Sequence, residues 1–272
     1  MSPIDHFSYG PVTPVLAYAV SCVGCMLGLL LTARARLAGG REAKFWLAGA
    51  AVAIGGTGIW TMHFIAMLGF SVPGSVIRYD VPLTAASALL AIAVVGAGLF
   101  LAAYGGERIW RLLAGGVLTG AGVAGMHYLG MAAMNMQGHV SYDPAIVSLS
   151  VLIAVAAATA ALWFALRVSG ALKIGAAALV MGVAVAGMHY TGMASMTVEA
   201  HAAMAPVPGA QAIDFLLPLL VAISLITAGL LLVVVLSPSE KELRGEAEFR
   251  ERLHRANAEG APETGLFGTP HG

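Results

Sequence analysis

Three histidines, each set among methionines, are the residues of this chain whose types and spacing could do chemistry. "GVAGMHYLGMAAM" (Gly122–Met134) and "AVAGMHYTGMASM" (Ala184–Met196) are near copies, and "TGIWTMHFIAMLGF" (Thr57–Phe70) is a looser third. His63, His127 and His189 are separated by 64 and 62 residues. On a helix, positions i, i+4 and i+7 share a face. The spacing therefore predicts stripes of His127, Met131 and Met134, and of His189, Met193 and Met196. In the first copy His63 and Met67 are followed by Phe70. Met62, Met126 and Met188, one residue before each histidine, point about 100° away, toward a neighbouring helix.

Imidazole nitrogen and thioether sulfur are both metal ligands, and the soft thioether favours Cu(I) over zinc. Charge points the same way. No Asp, Glu, Lys or Arg occurs from Phe45 to Ile77, from Leu112 to Tyr142, or from Ile174 to Val198. A divalent ion there would lack a counter-charge, whereas Cu(I) brings one positive charge to desolvate. Taken singly, each histidine reads as a hydrogen-bonding packing residue and each methionine as core filler. Three histidines with matched methionines read as a soft-metal site.

The elements that must position them are membrane helices. Of 272 residues 59% are hydrophobic and 10% charged, against about 25% charged in soluble domains. Seven apolar runs are each long enough to cross a ~30 Å hydrocarbon core: roughly 11–33, 45–70, 81–104, 111–134, 145–167, 173–196 and 213–236. The start, "MSPIDHFSYG", lacks the basic region of a cleavable signal. Thirteen of the fourteen basic residues fall on one side of these spans, and only Arg78 falls on the other. The positive-inside rule then puts the N-terminus outside and the C-terminus in the cytoplasm. The expectation is an all-α membrane protein of the bacterial cytoplasmic membrane, with residues 1–236 as the seven-helix domain and 237–272 as a short tail, helical at first and then disordered.

A repeat of two spans keeps its orientation, so successive copies are parallel and related by an axis along the membrane normal. Helices two, four and six become equivalent, in a pseudo-threefold arrangement with the seventh left over. His127 and His189 each lie 16 residues beyond the last basic residue and His63 lies 19 beyond, roughly 24–28 Å along a helix. Three histidines at one level can converge near the outer face. Gly58, Ala66, Gly122, Gly125, Gly130, Gly187 and Gly192 let the backbones approach. Asp80, Asp143 and Asp214 each stand where the next helix starts, as N-caps rather than ligands. Cys22 and Cys25, "CVGC" in the first span, read as small packing residues, because a thiolate at that depth is costly.

The sequence Met188-His189-Tyr190-Thr191 and its two related copies make the chain resemble the MHYT domain family, bacterial integral-membrane sensor modules. The similarity extends over the whole membrane part, including the Tyr-Asp pairs at Tyr79-Asp80 and Tyr142-Asp143. It implies copper held near the outer face by Met62, His63, Met126, His127, Met188 and His189, with Met67, Met131 and Met193 four residues beyond each histidine. It also implies sensing of a diatomic gas such as O2, CO or NO. Phe64 replaces the tyrosine in the first copy, and Ile65 and Leu129 stand where Thr191 stands. Many relatives fuse the module to cyclic-di-nucleotide or kinase domains, and the 36-residue tail here is too short for one.

The leading expectation is a stand-alone copper sensor, not an enzyme, with membrane lipid around it, a gas or redox signal, a separate signalling partner and no nucleic-acid role. Two alternatives stay open. Copper transport or delivery would use the additional groups His139, His201, Met136 and Met204 beyond the motifs. A zinc-dependent membrane hydrolase would use three imidazoles and an open fourth position, but no general base accompanies them.

Overall fold

The computed structural model describes residues 4–104, 108–200, 206–237 and 240–259. Seven helices among them are long and apolar enough to cross a membrane: α1 (Val12–Leu37), α2 (Gly40–Met67), α3 (Val81–Ala103), α4 (Ile109–Ala132), α5 (Pro144–Arg167), α6 (Ala171–Ala194) and α7 (Ala212–Leu236). The chain separates into two compact units, Met1–Leu236 and Ser237–Gly272. The second contains α8 (Glu240–Glu259), on which Phe249 and Leu253 are both exposed. The expected disordered end, and His201 and Met204, lie outside the described residues.

Packing neighbours form a closed ring. Helix α1 packs on α2, α2 on α3, α3 on α4, α4 on α5, α5 on α6, and α6 returns to α1; α7 lies against α2 and α1. This makes α2 the buried helix of the bundle, while α5 and α7 leave most of their surface exposed. Leu89, Leu118, Leu152, Val183 and Leu225 are exposed on the helices, a quantity of apolar surface that lipid, not water, accommodates.

Helix α1 runs further than the 33 expected because its arginines stay helical. Buried Arg34 donates to the Val234 carbonyl at 2.6 Å and lies over Trp46. Arg36 donates to the carbonyls of Ala165 and Val168. Helix α2 begins earlier and ends earlier than 45–70, and it changes character on the way. It is α-helical over Gly40–Ala51, π-helical over Val52–Thr61 and α-helical again over Met62–Met67. The π stretch carries Gly55 and Gly58, whose missing side chains admit neighbouring backbone. A Cβ on Gly55 would meet the Ala91 carbonyl at 2.7 Å, and one on Gly24 would overlap Gly58.

Two of the three expected caps form. Asp80 accepts from Leu83 N at 2.9 Å to open α3, and Asp143 accepts from Ala145 N and Ile146 N at 2.8 and 3.2 Å to open α5, each followed closely by proline. Asp214 does not cap. Helix α7 starts after Gln211 with a π-helical first turn, Ala212–Leu216, which places Asp214 inside that turn. It still sits at the positive end of the dipole.

The end of the bundle that carries the N-terminus also carries short antiparallel strands that periodicity did not reveal. Strand β1 (Arg78–Tyr79) pairs with β2 (Met134–Asn135), and β3 (Gly138–Tyr142) pairs with β4 (Met196–Ala200). Isolated bridges join Asp5 to Ser71 and Tyr79 to Ala210. Here the predicted stripes end. Met134 and Met196 are the first residues of strands, not an outer helical turn, and Phe70 lies beyond the end of α2. The cause is a repeated backbone bond. The residue six beyond each motif histidine gives its carbonyl to the segment before the preceding helix: Gly69 to Ser8 N (3.0 Å), Ala133 to Asp80 N (2.8 Å) and Ser195 to Asp143 N (2.8 Å).

Candidate metal centre

Each motif helix delivers its histidine one turn before the strand-bearing end. Met67, Ala132 and Ala194 close α2, α4 and α6 four or five residues after His63, His127 and His189. The three imidazoles converge, with one ring nitrogen from each lying within 4.8 Å of the others, and all three side chains are buried. Nδ1 of His63 is 3.0 Å from Nδ1 of His189 and 3.2 Å from Nδ1 of His127. The rings meet edge to face, with centroids 4.9–5.1 Å apart and planes inclined at 82–89°.

Small residues seat these rings. A Cβ on Gly130 of α4 would lie 2.5 Å from Nε2 of His63. One on Gly192 of α6 would lie 2.9 Å from Cδ2 of His127 and nearer still to its Nε2. Each of these glycines stands three residues after a motif histidine, so the histidine of one helix rests on the next helix's motif. The other motif glycines do different work. Gly122 faces Val94, Gly125 has only Leu90 at 3.9 Å, and Gly187 has open space.

The cluster does not satisfy itself by hydrogen bonding. Neutral imidazole has one donor and one acceptor nitrogen. His63 Nδ1 faces two other Nδ1 atoms, while Nε2 of His63 and of His127 are buried without a partner. The three facing Nδ1 atoms cannot all be paired with one another; a bound cation taking their lone pairs would satisfy them, with the Nε2 atoms of His63 and His127 left against Gly130 and Gly192. With Nδ1 separations of 3.0 and 3.2 Å, His63, His127 and His189 are the residues that would hold such an ion.

Around this core the residue after each histidine packs against its ring: Phe64 at 4.7 Å, Tyr128 and Tyr190 at 4.9 Å. Tyr128 shares a hydrogen bond with Ser150 at 2.7 Å, whereas the Tyr190 hydroxyl is buried without a partner. Phe64 instead fills a hydrophobic site between Trp60 and Tyr79. Met62, Met67, Met126, Met131, Met188 and Met193 are all buried at the same levels. Met188 also borders an apolar cavity of about 50 Å³ lined by Ile59, Val123, Ala158, Met181 and Val185.

The three motifs and their register are matched by one family description. The MHYT model, "Bacterial signalling protein N terminal repeat", matches three times, at residues 56–116, 120–178 and 182–245. The chain belongs to the MHYT family. It is 46% identical over 194 residues to the bifunctional diguanylate cyclase/cyclic di-GMP phosphodiesterase MucR of Pseudomonas aeruginosa, covering 69% of this chain and 28% of that protein. It is 33% identical over 217 residues to the signaling protein YkoW of Bacillus subtilis (76% and 26%). It is 34% identical over 210 residues to the cyclic di-GMP phosphodiesterase NbdA of P. aeruginosa (73% and 26%). The chain thus spans about a quarter of the length of these relatives. No solved structure matches it.

In this MHYT chain the structure brings His63, His127 and His189 together and keeps the other polar candidates apart from them. His139 is exposed on β3, paired across the sheet with Glu199, and Met136 is half-buried before that strand. Cys25 is buried where a Cβ on Gly58 would meet its sulfur at 3.2 Å, and Cys22 lies against Gly182. Both are at helix contacts. One polar residue near the site escaped the sequence reading. His6, in the segment before α1, packs against Phe70 with ring centroids 5.7 Å apart, and it belongs to no repeat that could have flagged it.

Proposed function

We propose that the chain is a metal-dependent sensor of the cytoplasmic membrane, with copper bound by His63, His127 and His189 and the neighbouring thioethers of Met67, Met131 and Met193. Met62, Met126 and Met188 complete the soft surround. The ring is read as three parallel two-helix repeats about an axis along the membrane normal, with the strand-bearing end outside. The observation that carries the reading is the convergence of three buried imidazoles whose Nδ1 atoms face one another. Copper over zinc rests on the soft sulfurs and on the lack of any carboxylate in α2, α4 and α6 near the cluster.

When bound, copper supplies a redox-active centre able to take a diatomic ligand such as O2, CO or NO. The 50 Å³ apolar cavity beside Met188 is large enough for such a molecule, given that a cavity of about 10–15 Å³ on this measure already admits a water. A signal requires that ligand to favour one helix packing over another. Helix α7 and the tail then carry the change to an output unit. The relatives named for cyclic di-GMP turnover make that chemistry the proposed output.

Elemental analysis of the full chain purified in detergent tests the first step. We expect about one copper per chain in the wild type and less than a tenth of that in His127→Ala/His189→Ala. Copper content unchanged by the double substitution refutes the site.

A further inference from the structure

The three imidazoles are buried, so an ion reaches them only past whatever covers the strand-bearing end. Part of that cover is the segment Ile4–Gly10. It is fixed to the end of α2 by reciprocal backbone bonds between Asp5 and Ser71 (3.0 and 2.8 Å), by Ser8 N to the Gly69 carbonyl (3.0 Å) and by the Ser8–Ser71 hydroxyl pair (2.7 Å). Two side chains reach from it over the motif residues. Phe7 lies 5.7 Å from the ring of Tyr190, next to His189, and His6 lies 5.7 Å from Phe70, seven residues beyond His63.

His6 is the unusual residue of this strap. Its Nδ1 is buried without a hydrogen-bond partner, although the residue as a whole is only half-buried. Its chain neighbour Phe7 rests on Tyr190, the residue after His189, which puts His6 over the same end of the site. Yet it lies outside the trio whose nitrogens fall within 4.8 Å of one another. An imidazole in that position is next to the site without being in it.

We propose that His6 is a relay ligand, which takes a soft or borderline cation such as Cu(I) at the mouth and passes it to His189 and the buried trio. The inference rests on the three-histidine metal site. Transfer is ligand exchange. The His6 lone pair displaces the carrier's donor, His189 then displaces His6, and the ion keeps its oxidation state throughout. Burial holds the His6 imidazole below the usual histidine range, against the opposing pull of Asp5, so the neutral, ligating form prevails at pH 7.

A relay ligand and a resident ligand differ in what they change. Because a relay residue is free again once the ion has passed, its removal slows loading and release by the same factor and leaves Kd unchanged. The experiment uses the full chain in detergent, anaerobic Cu(I) alone as probe, and a chromogenic Cu(I) chelator to follow uptake and release by stopped flow. His6→Ala and His6→Gln should each slow both directions at least tenfold, with stoichiometry and Kd unchanged. His6→Phe, which preserves the bulk over Phe70, should be as slow as His6→Ala. Rates that are unchanged, or that rise in His6→Ala because a lid has been lost, overturn the relay. So does a weakened Kd, which would make His6 a resident ligand. His127→Ala, measured alongside, separates the failures: if it still binds Cu(I) at full stoichiometry, the buried site itself is wrong.

Discussion

The seating of the histidines on glycine gives a prediction with its own controls. In Gly130→Ala the new Cβ arrives 2.5 Å from His63 Nε2 and 3.2 Å from Cδ2. Ordinary contact needs about 3.4–3.5 Å, so the imidazole must retreat about 0.9 Å. There is no space to retreat into, because His127, His189 and Phe64 pack against the same ring with centroids 4.7–5.0 Å away. A binding constellation tolerates displacements of roughly 0.5 Å. The expected loss of Cu(I) affinity is therefore about 10- to 100-fold, the range in which groups that orient ligands act. Overpacking costs about 1–3 kcal/mol, offset by up to about 1 kcal/mol of helix propensity. Gly192→Ala, which crowds His127 more closely, should do at least as much. Gly125→Ala and Gly187→Ala lie in the same two motifs but meet nothing closer than 3.9 Å. They should bind copper normally and gain slightly in stability. Chelator competition for Cu(I) and thermal unfolding in detergent measure both quantities. Equal behaviour of Gly130→Ala and Gly125→Ala would falsify the proposed seating.

Two further predictions concern the strand-bearing end. Burial pushes the Tyr79 phenol up to about 12 from its usual 10. The neutral form is the one the fold favours, so its contribution is complete below pH 10 and is lost as pH rises from 10 toward 12, about 3 kcal/mol in all. Tyr79→Phe should flatten that alkaline loss, as read by unfolding between pH 9 and 12; an unchanged slope would place the responsible group elsewhere. Asp143→Ala removes the acceptor for two amides of α5 and should cost about 1 kcal/mol, with Asp143→Asn retaining most of it. Asp214→Ala should cost a few tenths only, since Asp214 meets the dipole of α7 but does not cap it. Equal losses at the two aspartates, measured by thermal unfolding, would contradict the difference in their positions.

How much of this was legible in the residues follows from what repeats. Apolar length exposed all seven helices, and the spacing of His63, His127 and His189 was enough to expect their convergence, because a two-span repeat fixes both orientation and depth. The ends of the helices were less legible. Met134 and Met196 satisfy an i+7 stripe, but the carbonyls of Ala133 and Ser195 leave the helix to accept long-range bonds that no local pattern encodes. Arg34 ended the first span by its charge, although the Val234 carbonyl and the face of Trp46 keep it buried. The glycines were read as one class of packing residue. Only the coordinates separate Gly130 and Gly192, which seat histidines, from Gly125 and Gly187, which face space. Asp214 shared its position in the repeat with Asp80 and Asp143, and the π-helical start of α7 moved it off the cap.

The three copies are also unequal in a way that bears on signalling. Among the described helices α2 is the most buried, and its His63 is the imidazole whose Nδ1 faces both others. It follows a ten-residue π stretch, held by Ser21 Oγ bonded to the Gly58 carbonyl at 2.7 Å and by a Thr57–Thr227 hydroxyl contact with α7. A π-helical register is rare, and such stretches recur at functional sites. Closing even part of it into α-helix would rotate His63 relative to Thr57 and so couple the three-histidine cluster to α7. His127 and His189 sit on uninterrupted helices without such a device. The motif with phenylalanine in place of tyrosine is therefore the one hydrogen-bonded, through Thr57, to the last helix.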